Sequence, residues 1–145
     1  DIGMAQIPVP VLHEPGRLDP ETWAQVEQHP ARTVAVVSPI EFESRAVELI
    51  LAHHERPDGR GYPRGLKGEQ IPIGARIIAV LDAYESMTLG RPYRPAMSHE
   101  DAVAELRRCA GTQFDPKVVD AFVQSFVQAT VRQEPTKAIQ APEAA

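Results

Sequence analysis

A chain of 145 residues with 43% hydrophobic content can build one domain around its own core. Its formal net charge of −5 excludes broad DNA or RNA binding, which needs a basic face. No apolar run approaches the roughly 18 residues needed to cross a bilayer. Cys109 is the single cysteine, so an intramolecular disulfide is excluded. The N-terminus has neither a basic n-region nor an apolar h-region, and a cytoplasmic location is expected.

The chain opens on Asp1-Ile2-Gly3 rather than on methionine, with no sign of a helix start, and reads as the middle of a longer protein. Residues 6 to 18 hold Pro8, Pro10, Pro15 and Gly16 and predict an irregular connection. Asp19-Pro20-Glu21 predicts a helix start, with a capping carboxylate followed by proline at the first helical position. Trp23, Val26 and His29 fall on one face of that helix, and Pro30 marks a kink or a break. A second helix is expected over about 41 to 54, where Phe42, Ala46, Leu49, Ile50 and His53 recur at helical intervals.

Residues 55 to 72 are too rich in glycine and proline for regular structure. From Ile73 to Leu89 the helical pattern resumes, with Ile77, Leu81, Tyr84 and Thr88 in one stripe and Asp82 beside it. A loop containing Gly90, Pro92 and Pro95 follows. Ser98 and Asp101 predict a capped helix through Leu106 to a stop at Gly111, and Asp115-Pro116 opens a last helix to about Arg132. The domain is therefore expected to cover 1–131, with 132–145 a disordered tail lacking apolar periodicity. The expected core holds Trp23, Phe42, Leu49, Ile77, Leu81, Phe114 and Phe122. His13, His99 and Cys109 read as structural or surface residues.

The chemistry concentrates in His53-His54-Glu55-Arg56-Pro57-Asp58-Gly59-Arg60-Gly61-Tyr62-Pro63. Imidazoles and carboxylates are common ligands of catalytic first-row metals, and a glycine-rich loop lets backbone N–H groups approach an anion. Together they point to metal-assisted hydrolysis of a phosphate ester. Adjacent helical side chains point about 100° apart, so His53 and His54 cannot easily share one ion in mid-helix. At a helix end facing two ions, each could serve a different metal. His29 and Asp82, on separate helices, could converge from other sides. The mixed N/O set suits iron, manganese, zinc or cobalt. Basic residues outnumber acidic ones between Arg56 and Arg94, which suits a small anion. Glu55 and Asp58 read either as partners orienting the histidines or as solvated loop charges.

These residues carry a family resemblance. Asp1-Ile2-Gly3, Pro15-Gly16-Arg17-Leu18, His29-Pro30, the 53–63 block, Gly65-Leu66, Arg76-Ile77, Asp82-Ala83-Tyr84, Arg91-Pro92-Tyr93 and the run from Gly111 to Pro116 stand in one ordered series. In that series the chain resembles the C-terminal portion of an HD-GYP domain, within the HD phosphohydrolase superfamily. The resemblance implies an all-α helical bundle whose upstream helices are missing from this chain. It implies two or three divalent metal ions, iron, manganese or another first-row metal. It further implies phosphodiesterase activity on cyclic di-GMP, giving pGpG or GMP, in bacterial signalling, including two-component response regulators.

By the same resemblance Asp1, His29, His53, His54 and Asp82 are metal ligands, with Asp1, His53 and His54 catalytic. Arg91, Arg94, Tyr62 and Glu85 are substrate-binding positions. The histidine that pairs with Asp1 would precede the first residue, so this piece is expected to be inactive alone. An upstream sensor or receiver domain, a GGDEF-domain partner and a homodimer are further expectations. Three positions depart from the pattern. Met4 stands where a lysine is usual, Glu85 where an aspartate is usual, and Arg94 where lysine is common. Methionine cannot replace a cation, so a catalytically degenerate module that binds a nucleotide or a protein is the alternative reading.

Overall fold

A computed structural model describes residues 1–14, 16–40, 43–89 and 95–133, with side chains as far as Phe126. A 3₁₀ helix, Ile2–Gln6, leads into α1 (Val9–Leu12), α2 (Pro20–Val26), α3 (His29–Val37) and α4 (Ser44–Ala52). After a long loop containing a short 3₁₀ turn, Gly68–Gln70, come α5 (Ile73–Thr88), α6 (His99–Arg108) and α7 (Pro116–Gln133). Among the described residues there is no strand, only the isolated bridges Asp58–Lys67 and Ala110–Phe114. The fold is all-α, as expected.

The helix boundaries follow local chemistry. Asp19 Oδ1 accepts from the backbone N–H groups of Glu21 and Thr22, which opens α2 as its sequence predicts. Pro30 falls in the first turn of α3, where its missing N–H costs nothing, so the chain breaks after α2 instead of kinking. His29 therefore begins a new helix and does not continue the Trp23–Val26 face. Ser98 Oγ accepts from Asp101 N–H at 3.0 Å and donates to Asp101 Oδ2 at 2.9 Å, opening α6. Gly111 reverses the chain at φ +82°, which a Cβ would resist.

Two parts of the connection differ from expectation. Residues 6 to 18 contain the short helix α1, and Asp1-Ile2-Gly3 enters a 3₁₀ turn closed by Met4 N–H to Asp1 C=O at 2.9 Å. That turn is imposed by packing. Gly3 N–H donates to Thr33 Oγ1 at 2.9 Å, and a Cβ on Gly3 would collide with the His29 carbonyl and the Thr33 nitrogen. Backbone contact of this kind leaves no hydrophobic pattern in the sequence. The helix expected over 41 to 54 is shorter, Ser44–Ala52, with His53 as its C-terminal cap.

The main core joins Val80 and Met87 of α5, Ala102 and Leu106 of α6, Cys109, Phe114, and Val118, Val119 and Val123 of α7. Phe122 packs half-buried against it. A smaller cluster of Ala52, Ile71 and Ala75 takes half-buried Leu49 and joins α4 to the start of α5. Arg76 Nη1 meets Asp115 Oδ2 at 2.6 Å and ties α5 to the head of α7, although Arg76 Nε is buried without a partner among the described residues. His99 Nδ1 lies 2.8 Å from the Tyr84 hydroxyl, a structural contact.

Three expected core residues are not core. Trp23, Ile77 and Leu81 are 45%, 43% and 48% exposed. Helix α5 is apolar on more than one side, and α6 and α7 cover the side carrying Val80 and Met87, not the Ile77–Leu81 stripe. Periodicity finds the helix but cannot choose between two apolar stripes. Phe42 and the tail from residue 134 lie outside the described residues.

Leu106 is fully buried in the main cluster. Leu106→Ala should therefore lower stability by about 2–5 kcal/mol, read as a shifted urea midpoint with an unchanged m-value.

Candidate metal centre

Each donor of the candidate centre arrives at the end of an element. Asp1 precedes the 3₁₀ helix, His29 is the first residue of α3, and His53 and His54 follow the last turn of α4. His29 Nδ1 lies 2.7 Å from the Val26 carbonyl, and His53 Nδ1 lies 2.7 Å from the Ile50 carbonyl. A carbonyl can only accept, so each Nδ1 carries the proton and each neutral ring presents a bare Nε2. Those nitrogens face Asp1 Oδ1, 3.3 Å from His29 Nε2 and 3.2 Å from His53 Nε2. His54 Nε2 stands 3.1 Å from His29 Nε2.

The four donor atoms lie within 4.8 Å of one another. Acceptor faces acceptor across this space, an arrangement that repels unless a proton or a cation sits between. The donor set therefore fits a divalent first-row metal ion. Spacing made it hard for adjacent histidines to share one ion in mid-helix and left a helix end as the place where both could serve a metal site. The pair does stand at a helix end, since α4 stops at Ala52, and the two rings lie 4.0 Å apart at 42°.

Burial suppresses protonation of these rings. His54 is pushed down to about 3, first by burial and then by the charges of His53 and His29. His29 and His53 are also lowered, chiefly by burial, with their bonds to backbone carbonyls opposing. Three neutral imidazoles at pH 7 are ready ligands.

The loop after His54 is built tightly around it. Gly61 passes so close to the Arg56 nitrogen and the His54 carbonyl that a Cβ would collide with both. Tyr62 N–H donates to the His54 carbonyl at 3.3 Å, and the Tyr62 ring stacks on the His54 ring at 4.9 Å and 28°. Burial raises the Tyr62 phenol above its ordinary range, so it stays protonated. Glu55 is buried, and its two oxygens accept from the backbone N–H groups of Arg64 at 2.7 Å and Leu66 at 2.9 Å. Asp58 makes a two-point pair with Arg56, which holds its carboxyl below the usual range, and accepts from Arg60 N–H at 3.0 Å. Neither reading offered for Glu55 and Asp58 holds: they fasten the loop's own backbone and do not orient the histidines. Sequence reasoning missed this because the partners of Glu55 lie nine and eleven residues onward in a segment without periodicity.

A cleft of about 510 Å³ opens beside His53 and His54, within the range of small-ligand sites. Trp23, Glu27 and Tyr62 line one part, Arg56 and Arg60 another, and Asp82 and Ser86 of α5 a third. Asp82 is exposed and stands outside the four-atom cluster, although it also lines a cavity of about 390 Å³ with Asp1 and His53. Glu85 is exposed one helical turn on and is not among the residues lining the cleft. Arg91 and Arg94 lie outside the described residues. Met4 is half-buried and faces a different cavity with Val26 and Trp23. Trp23 and Glu27 were not singled out as site residues by sequence, since no short motif joins them to the histidines, whereas Arg60 belongs to the 53–63 block and its basic cluster.

A family model described as HD domain matches residues 1–118. A probable cyclic di-GMP phosphodiesterase of Vibrio cholerae is 38% identical over 138 residues, covering 88% of this chain and 31% of its own length. A cyclic di-GMP phosphodiesterase of Thermotoga maritima is 40% identical over 126 residues, covering 86% of this chain and 34% of its own. The chain thus spans about a third of the length of these relatives. Among solved structures, a cyclic GMP-AMP specific phosphodiesterase of V. cholerae superposes with a TM-score of 0.64 at 25% identity, over 77% of this chain and 25% of that one.

In the metal-free protein the folded histidines refuse a proton that the unfolded chain accepts below about pH 6.5. Stability should be full above that pH and fall as the pH drops toward the folded values, about 3 for His54. Urea midpoints measured across this window check the sign, and a flat profile would contradict it. Glu55→Ala leaves two loop N–H groups without their acceptor. It should cost about 1–3 kcal/mol and speed tryptic cleavage after Arg60 or Arg64.

Proposed function

This chain belongs to the HD domain family, and from that premise we propose that it carries the hydrolytic site of a metal-dependent phosphodiesterase acting on cyclic di-GMP. The observation that supports this most is the convergence of Asp1, His29, His53 and His54 within 4.8 Å beside a cleft of about 510 Å³. The curated relatives, named as cyclic di-GMP phosphodiesterases, support the substrate.

In this reading those four residues hold the metal, and Asp82 serves a second ion from the α5 side. Bound there, a divalent ion supplies Lewis-acid polarisation of a phosphoryl oxygen and lowers the pKa of water. Burial keeps the imidazoles unprotonated, and the Val26 and Ile50 carbonyls hold His29 and His53 in one tautomer. Tyr62 packs the His54 ring against rotation. Arg60 offers its guanidinium to a substrate phosphate in the cleft; the substrate-binding role of Arg91, Arg94 and Glu85 rests on the family resemblance alone. Iron or manganese suits the nitrogen-rich donor set. An upstream sensor or receiver domain, a GGDEF-domain partner, a homodimer and a cytoplasmic setting belong to the same reading. Among the described residues no helix is long and apolar enough to cross a membrane.

One observation favours a second reading, a binding module without catalysis. Met4 supplies no cation and lines a cavity other than the cleft. Metal content and cyclic di-GMP turnover by the full-length protein separate the two. His53→Ala and His54→Ala should each remove metal and lower turnover by at least about 100-fold. Metal-loaded wild-type protein without turnover would establish the binding module.

A further inference from the structure

Trp23 is a large apolar residue left 45% exposed on the wall of the cleft. Its indole Nε1–H donates to Glu27 Oε1 at 2.8 Å, one helical turn on and just past the end of α2. That bond fixes the plane of the ring and holds a carboxylate at its edge. The contact with Tyr62 is edge-on, with centroids 6.3 Å apart at 87°, so Tyr62 does not stack on the indole. The other oxygen of Glu27 and its remaining lone pairs stay available to a ligand in the cleft that Glu27 lines.

We propose that Trp23 and Glu27 form a purine subsite in which the indole stacks on the base and the Glu27 carboxylate selects guanine over adenine. This rests on the nucleotide phosphodiesterase reading above and adds the residues that read the base. The Watson–Crick edge of guanine presents two donors side by side, N1–H and N2–H, and an ionised carboxylate accepts both. Adenine presents N6–H beside the N1 lone pair, which the carboxylate repels. Unstacked bases are commonly recognised in this way, by stacking on an aromatic ring and bonding along that edge. The geometry also leads from base to reaction centre. The indole is one ring contact from Tyr62, which stacks on His54 of the donor cluster, and Trp23, Glu27, His53 and His54 line the same cleft, so a base on Trp23 shares the cleft with the candidate metal centre.

Trp23 is the only tryptophan of this chain, and the part of the full-length protein's emission that Trp23→Phe removes reports this subsite. GMP and AMP, which lack a diester bond, serve as probes of the metal-loaded full-length protein. GMP should quench the emission at concentrations roughly tenfold or more below those needed of AMP. In Glu27→Gln the amide oxygen can still accept the indole proton, while the amide N–H groups face the guanine donors and suit adenine. The preference should then vanish or reverse. Trp23→Ala, followed by equilibrium dialysis, should weaken GMP binding about five- to a hundredfold. Equal quenching by the two nucleotides, an unchanged preference in Glu27→Gln or unchanged GMP binding by Trp23→Ala would overturn the subsite. Hydrolysis of bis(p-nitrophenyl) phosphate, which carries no purine, tests the phosphodiesterase reading separately. Its absence in wild type would overturn that reading while the fluorescence still judges the base preference.

Discussion

The exposed carboxylate of Asp1 and the bare Nε2 atoms of buried His29 and His53 are held face to face, with His54 Nε2 beside them. Electron pairs confined in this way raise the energy of the folded state and give it a strong affinity for a cation. Everything around the cluster keeps it from relaxing. Gly3 brings the Asp1 turn against α3 at backbone distance. The carbonyls of Val26 and Ile50 fix two ring tautomers, and Tyr62 covers the face of His54. A centre of this kind is preorganised: the cost of assembling like-natured donors is met during folding, so binding need not reorganise them.

That cost requires a stable scaffold next to it. The α5–α6–α7 cluster supplies one, with Leu106, Val80 and Val119 excluded from solvent, and the Arg76–Asp115 pair joins α5 to the head of α7. The loop between α4 and α5 has only a small core, Ile71 with Leu66 against Ala52 and Ala75. Its earlier part depends on Glu55, Asp58 and the close approach at Gly61, so polar bonds to its backbone supplement hydrophobic packing. A loop held by directional bonds keeps Tyr62 and Arg60 in register with the histidines while one side remains open as the cleft. Rigid donors and an open approach are what a hydrolytic site needs, and the division of labour between core and loop provides both.

The cleft joins residues with different physical tasks. Its lining includes the ring nitrogens of His53 and His54, the cations Arg56 and Arg60, and the aromatic rings of Trp23 and Tyr62 with Glu27 bonded to the indole edge. Phosphates suit cations, and purines suit an aromatic face and a directional acceptor, so the cleft offers a surface for each part of the proposed nucleotide substrate.

The sequence by itself determined the longer helices of this protein and most of its candidate metal donors. Capping at Asp19 and Ser98, proline at the start of α3 and the glycine stop at Gly111 are local chemistry, readable from neighbouring residues. His29, His53 and His54 were legible because their side chains and their places in an ordered series of motifs are written in the chain. Tertiary structure alone decided which apolar stripe of α5 is covered, where α4 ends and so presents both histidines to one cluster, and that Glu55 fastens the loop. It also decided that Trp23 leaves the expected core to line the cleft with Glu27, while Asp82 stands beside the donor cluster and not within it. The reason is physical. Capping and turn chemistry act over a few residues, whereas a cluster or a cleft depends on how helix ends distant in sequence meet, and no local pattern records that meeting.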